Sequence, residues 1–132
     1  MYLVWRASEA IRGLADRQRE DGSLTLAKYV VLTFVRDRQD LTSADVARLV
    51  GNTPQSTYET IASLEKAGLL ERRSSPTNRK SKFLHITEPG LQALEQTEIA
   101  MDLVESQAFK GLGAKDLSAF RAALKDIIEA AR

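Results

Sequence analysis

Residues 41–73 read LTSADVARLVGNTPQSTYETIASLEKAGLLERR, and this stretch decides the fold. Its first part predicts a short helix, because Thr42 followed three residues later by Asp45 forms a capping-box pattern. Gly51 ends that helix, since glycine adopts the left-handed backbone conformation at little cost.

The second part predicts another short helix, which runs over residues 54–67. Thr53 is its N-cap, and Pro54 occupies the first turn, where no backbone N–H is needed. Gly68 ends the helix, and three of its positions are expected in the core: Thr57, Ile61 and Leu64. Two short helices joined by a glycine turn predict a helix-turn-helix.

A β-hairpin is predicted directly after the helix-turn-helix. Residues 69–73 form its first strand, residues 74–78 have the composition of a turn, and residues 82–87 form the returning strand. Leu84 and Ile86 fall on one face of the returning strand. We call this hairpin, residues 69–87, the wing.

The rest of the chain predicts longer helices. They cover residues 2 to about 20, 25 to 35, 88 to 109 and 115 to 131. The predicted fold is therefore mainly α with a small β-hairpin wing, and 132 residues fit one domain.

The terminal helices have apolar stripes that a winged helix-turn-helix does not need for its own core. Burial against a second copy of the chain would cover them. We therefore expect dimerisation helices at 1–22 and 109–132, a winged helix-turn-helix core at 25–90 and a long connecting helix at 88–109.

Charge is unevenly distributed along the chain. Residues 66–82 contain six basic residues and one acidic residue, a net charge of +5, so the other residues carry −4 within the overall +1. A basic patch on an acidic protein indicates a local anionic partner, of which nucleic acid is the most common.

Composition excludes several classes of function. The chain has no cysteine, which excludes disulfides, thiolate metal sites and cysteine redox sensing, and its single histidine leaves few options for metal ligation. It has no apolar run of about 20 residues and no signal-peptide pattern. A glycine-rich phosphate loop and a serine–histidine–acid set are both lacking. We expect a cytoplasmic protein, not an enzyme, without membrane, metal or cofactor.

The order of these elements resembles the MarR family, the multiple-antibiotic-resistance type of winged-helix transcriptional regulator. The most specific piece is LEKAGLLER at residues 64–72, followed after the wing tip by ITEPG at residues 86–90. The resemblance implies a homodimer that binds pseudo-palindromic double-stranded DNA, with residues 54–67 as the recognition helix in the major groove. Many relatives are repressors that small aromatic or phenolic effectors release.

The resemblance also implies which residues contact DNA. Base reading is expected from Gln55, Ser56, Glu59 and Thr60. Backbone contacts are expected from Thr53, Tyr58, Arg72, Arg73, Arg79, Lys80 and Lys82. Because the recognition helix is nearly neutral, the wing must supply most of the attraction to phosphates. Arg72 has an alternative role, in which it braces the wing through a carboxylate such as Glu71 or Glu88.

Two departures from the family pattern affect these expectations. The family's wing tip usually reads Asp-x-Arg, but here it reads Asn78-Arg79-Lys80, so Arg79 or Lys80 replaces the usual arginine. Relatives often have arginine where this chain has Glu59 or Ser63. These departures support an alternative function, a winged-helix protein-interaction module that has lost DNA binding.

An effector pocket is expected between the dimerisation helices and the winged core. Its candidate residues are Trp5, Arg12, Tyr29 and Phe34, because aromatic rings with an arginine suit an aromatic carboxylate. Packing in the core or the dimer interface is the alternative role for the same residues. His85 is expected on the surface.

Overall fold

The computed structural model describes residues 1–19, 23–51, 53–74 and 81–130. These residues form six α-helices and one β-hairpin, in the predicted order. The elements are α1 (Tyr2–Gln18), α2 (Leu26–Asp37), α3 (Ser43–Val50), α4 (Pro54–Lys66), β1 (Leu70–Ser74), β2 (Lys82–Ile86), α5 (Glu88–Ala108) and α6 (Ala114–Ala130). The prediction of a mainly α fold with a winged helix-turn-helix is confirmed, with element bounds that differ by one or two residues.

The helix-turn-helix has the predicted local chemistry. The Thr42 hydroxyl accepts from the Asp45 backbone N–H at 3.2 Å, and the Asp45 carboxylate accepts from the Thr42 N–H at 2.9 Å. These bonds satisfy donors that the start of α3 would leave unpaired. Gly51 has a φ of 72°, which is left-handed, and the Thr53 hydroxyl caps α4 through the Ser56 N–H at 3.3 Å.

The core lies between α2, α3, α4, α5 and the wing. Its largest fully buried side chains are Val31, Leu32, Val46, Ile61, Leu64 and Leu94. The α4 positions expected inside are all buried: Thr57, Ile61 and Leu64. The buried face of α4 fixes which of its residues point to solvent.

The two strands of the wing pair antiparallel, with Arg72 opposite Leu84. Leu84 is buried, as the alternation predicted, and its backbone N–H donates to the carbonyl of Leu41 at 2.8 Å. This bond attaches the wing to the segment before α3. The returning strand ends at Ile86 instead of Thr87, because Thr87 is the N-cap of α5.

The start of α5 is held against the end of α4. The Thr87 hydroxyl donates to the Gly68 carbonyl at 2.6 Å, and the Thr87 N–H donates to the Leu69 carbonyl at 3.1 Å. Gly90 packs so closely that a Cβ there would collide with the Leu69 carbonyl oxygen and the Ile86 side chain. The turn that follows the recognition helix and the start of α5 are therefore packed closely together.

The terminal helices bury much less. None of the α6 side chains is buried, and Ala15 is the buried residue of α1. Within the described residues, α6 contacts α5 through a Phe109–Phe120 ring pair with centroids 5.5 Å apart, and through an Arg121–Glu105 ion pair. Among the described helices, none combines the length and apolar character that crossing a bilayer requires.

Candidate nucleic-acid interface

The outward face of α4 presents short polar side chains to solvent. Gln55, Ser56 and Glu59 are all exposed, on the side of the helix opposite the buried Ile61 and Leu64. Because the burial of α4 is one-sided, this face is the part of the helix that can enter a groove. Three of the four predicted base-reading residues therefore share one accessible surface.

Two of these residues are hydrogen-bonded to each other. The Gln55 Nε2 donates to a carboxylate oxygen of Glu59 at 3.2 Å, across one turn of the helix. Thr60 differs from them, since it is half-buried and its hydroxyl donates to the Ser56 carbonyl at 2.9 Å. The hydroxyl proton of Thr60 is therefore already used within the helix. The base-reading role of Thr60 stays a prediction.

The recognition helix has little positive charge of its own. Glu59 and Glu65 oppose Lys66, so α4 carries one net negative charge. A helix of this charge adds no net electrostatic attraction to phosphates. The attraction to an anionic partner has to come from neighbouring elements.

Arg72 connects the wing to the recognition helix. Its Nε and NH2 groups donate to the two carboxylate oxygens of Glu65 at 2.7 and 3.1 Å, a bidentate ion pair. These bonds raise the pKa of Arg72 above its usual value. Arg72 was expected to brace the wing through Glu71 or Glu88 if it did not contact DNA. Bracing through a carboxylate is observed, and the partner is Glu65 instead of the suggested Glu71 or Glu88.

Glu65 is the residue that the sequence analysis missed. It lies seven residues before Arg72, with Gly68 and its left-handed φ of 72° between them. This turn folds β1 back towards α4, so neither helical nor strand periodicity could indicate the contact. Arg73 pairs within its own strand, where its Nε donates to Glu71 at 2.6 Å.

Two lysines lie at the ends of elements in α4 and in the wing, the two parts that the Arg72–Glu65 ion pair joins. Lys66 at the end of α4 and Lys82 at the start of β2 are exposed, and neither forms an ion pair within the described residues. Arg79 and Lys80, which were expected at the wing tip, lie outside the described residues. Their contribution stays a prediction.

Thr53 and Tyr58 occupy the start and the flank of α4. The Thr53 hydroxyl is used as the helix cap, although the residue is exposed. Tyr58 is 45% exposed, so its phenol is accessible to a phosphate. Both roles on the DNA backbone stay predictions.

The candidate effector residues are dispersed within a single chain. Trp5 is 60% exposed near the start of α1, and Arg12 is exposed and pairs with Glu9. Tyr29 and Phe34 are half-buried on α2, where burial raises the pKa of Tyr29.

A cavity of about 510 Å³ lies elsewhere, between the end of α1, the start of α2 and the middle of α5. Its lining includes Arg19, Leu24, Thr97, Met101 and Leu103. None of the four candidate effector residues lines this cavity. Its location had no signal in the sequence, because it depends on how three separate helices pack.

The fold and this surface define a class of protein, the winged helix-turn-helix DNA-binding proteins. Helix α4 presents a polar face, and a β-hairpin with basic side chains lies beside it. Comparison with known proteins agrees with this assignment and makes it more specific. A sequence model described as the MarR family matches residues 23–81.

Three relatives are representative. The HTH-type transcriptional repressor Rv2887 of Mycobacterium tuberculosis is 25% identical over 126 residues, covering 96% of this chain and 91% of the relative. The structure of Rv2887 with p-aminosalicylic acid has a TM-score of 0.78 at 25% identity, and the alignment covers 96% of this chain and 95% of that one.

Two further solved structures share the fold. One is BpsR of Bordetella bronchiseptica, a protein whose DNA binding is regulated by 6-hydroxynicotinic acid. It has a TM-score of 0.83 at 22% identity, and the alignment covers 96% of both chains. A MarR-family regulator from Rhodococcus sp. RHA1 has a TM-score of 0.86 at 22% identity, covering 96% of this chain and 89% of that one.

Residues 23–81 match the MarR family of winged-helix transcriptional regulators, and relatives named as transcriptional repressors align with 96% of the chain. The names of these homologues, with the shared fold, identify it as a DNA-binding regulator of transcription. The resemblance inferred from residues 64–72 and 86–90 is thereby confirmed.

Proposed function

We propose that this protein is a homodimeric repressor that binds pseudo-palindromic duplex DNA and responds to a small effector. The observation that carries the proposal is the exposed polar face of α4 beside a basic wing. In this proposal Gln55, Ser56 and Glu59 read base edges, while basic residues beside them contact phosphates.

The homodimer follows from the apolar side chains that the single chain leaves in solvent. They include Tyr2, Leu3, Val4, Trp5, Ile127 and Ile128, each of them at least 55% exposed. A second copy related by a two-fold axis would cover them. On this basis residues 1–22 and 109–132 are the dimerisation helices, residues 25–90 form the DNA-binding core, and residues 88–109 connect the two.

A two-fold axis also gives the DNA geometry. Two recognition helices about 34 Å apart would enter successive major grooves on one side of the duplex. Each protomer would contribute the exposed Lys66 and Lys82 and, by sequence, Arg79 and Lys80 at the wing tip. The affinity should therefore fall steeply with salt, because these side chains displace counterions from phosphates.

The effector is proposed to be a small aromatic acid. Relatives bind such molecules: p-aminosalicylic acid in Rv2887 and 6-hydroxynicotinic acid in BpsR. The cavity between α1, α2 and α5 has apolar walls from Leu24 and Leu103, and Arg19 for a carboxylate. Trp5, Arg12, Tyr29 and Phe34 remain candidates for a pocket that the second protomer completes.

We place the protein in the cytoplasm and assign it no catalytic role. The winged-helix protein-interaction module is the second candidate function. The net negative charge of α4 and the engagement of Arg72 by Glu65 favour it. The two functions differ in one measurable property, salt-sensitive binding to duplex DNA.

The test is fluorescence anisotropy with labelled duplex from the region upstream of its gene, in a salt series with scrambled competitor. Specific binding that weakens with salt is the expected result. Arg79→Ala with Lys80→Ala should reduce the affinity and the salt slope, while Lys125→Ala on exposed α6 should change neither. Failure to bind any duplex, including a random pool at low salt, would favour the interaction module.

A further inference from the structure

The exposed face of α4 has a specific pattern of hydrogen-bond donors and acceptors. Glu59 has a carboxylate, which only accepts, and Gln55 has an amide with two N–H donors and one carbonyl. One of the two Gln55 amide protons is given to Glu59, at 3.2 Å. The remaining groups are one N–H and one carbonyl on Gln55, and free acceptor positions on Glu59.

These remaining groups match two particular bases. An amide pairs with adenine through one N–H to N7 and one carbonyl to the N6 amino group, which are the two groups that Gln55 still has free. A carboxylate accepts from the N4 amino group of cytosine, whereas the major-groove edge of guanine offers it only acceptors. We propose that Gln55 and Glu59 act as one coupled reader of a cytosine and an adenine on neighbouring base pairs in each half-site. This inference rests on the proposed DNA-binding function.

The spacing of the two side chains supports neighbouring base pairs. Their polar ends are 3.2 Å apart, and successive base pairs are stacked about 3.4 Å apart. The bond between them holds both ends at this separation before DNA arrives. Both residues are exposed, and within the described part of the chain their side chains bond only to each other.

Coupling through this bond gives a signature that two independent contacts would not give. Removing the Gln55 amide releases the Glu59 carboxylate, so Gln55→Ala should weaken the cytosine preference as well as the adenine preference. Glu59→Gln keeps the shape of the side chain but adds N–H donors. The variant should therefore also bind sites with a base that offers only acceptors, such as guanine, which the carboxylate disfavours. The same change removes a negative charge near phosphates, so total affinity for unrelated DNA should rise.

The experiment is selection of binding sites from a random duplex pool by the full-length protein, followed by sequencing. Three variants are run in parallel: Glu59→Gln, Gln55→Ala, and the control Glu95→Gln, which makes the same chemical change on the exposed side of α5. Wild type and control should enrich half-sites with neighbouring cytosine and adenine. Replacing that cytosine should cost wild type about 10-fold in affinity, and Glu59→Gln should lose most of that discrimination.

The outcomes separate this inference from the function on which it rests. If wild type enriches half-sites that lack neighbouring cytosine and adenine, or if Glu59→Gln selects the same half-sites as wild type, the coupled reader is overturned and DNA binding stands. If Gln55→Ala loses adenine alone, the coupling is overturned. If wild type retains no duplex at low salt, the proposed function itself fails.

Discussion

The winged core and the terminal helices place their apolar residues in opposite environments. Ile61, Leu64 and Leu94 in the core are completely buried, whereas Ile127 and Ile128 on α6 are 58% and 55% exposed. The core thus completes its packing within one chain, and the terminal helices do not. The difference indicates that the winged core completes its packing within one protomer, whereas covering the terminal helices takes a second copy.

The largest effect on stability should come from truncation inside the core. Leu64→Ala removes a fully buried side chain on the inner face of the recognition helix and should lower the free energy of unfolding by about 2–5 kcal/mol, measured by urea denaturation. The matched change Leu112→Ala, at a residue 42% exposed, should cost below about 1 kcal/mol. Equal losses at the two sites would remove the contrast between core and periphery.

A charge on the apolar stripe of α6 should act on assembly and leave the protomer folded. Ile127→Asp places a carboxylate where the second copy is expected, so the dimer dissociation constant should rise by roughly 100-fold or more. Sedimentation velocity at several concentrations would measure it. Ala122→Asp adds the same charge on another side of the exposed helix and should leave the dimer intact. If Ile127→Asp sediments like wild type, this face is not the interface.

The junction between core and connecting helix should be sensitive to a single methyl group. Gly90→Ala forces a Cβ against the Leu69 carbonyl and Ile86, so thermal and urea unfolding should show a loss of about 1–3 kcal/mol. Gly111→Ala provides the control, because a Cβ there meets nothing within 4 Å. A tolerated Gly90→Ala would mean that α5 is not held tightly against the end of α4.

The smallest effect concerns the cap of α3 and depends on pH. Hydrogen bonds from the Thr42 side chain and backbone lower the pKa of Asp45, so its ionised form stabilises the folded state. That contribution is complete above the unfolded pKa of about 3.9 and is lost as pH falls through the lower folded pKa. Asp45→Asn should cost about 1 kcal/mol at pH 7, and the difference from wild type should shrink below about pH 4. A pH-independent difference in urea midpoints would contradict this account of the cap.

Local chemistry made most of the fold predictable. Thr42, Gly51 and Thr53 act within a few residues of themselves, so the helix bounds around them could be read directly, and the alternation at Leu84 gave the buried face of the wing. Contacts across a turn were not predictable in this way. The Arg72–Glu65 pair and the cavity beside Leu24 arise from tertiary packing, which has no period in the sequence.

Two copies of this chain are proposed to act together on one duplex. The duplex is recovered by selection, labelled and titrated with protein. Sedimentation velocity then measures the number of chains bound to each duplex. The account predicts a saturated complex with two chains, each of 14.6 kDa, on one duplex. Saturation at one chain per duplex, or no complex at low salt, would contradict it.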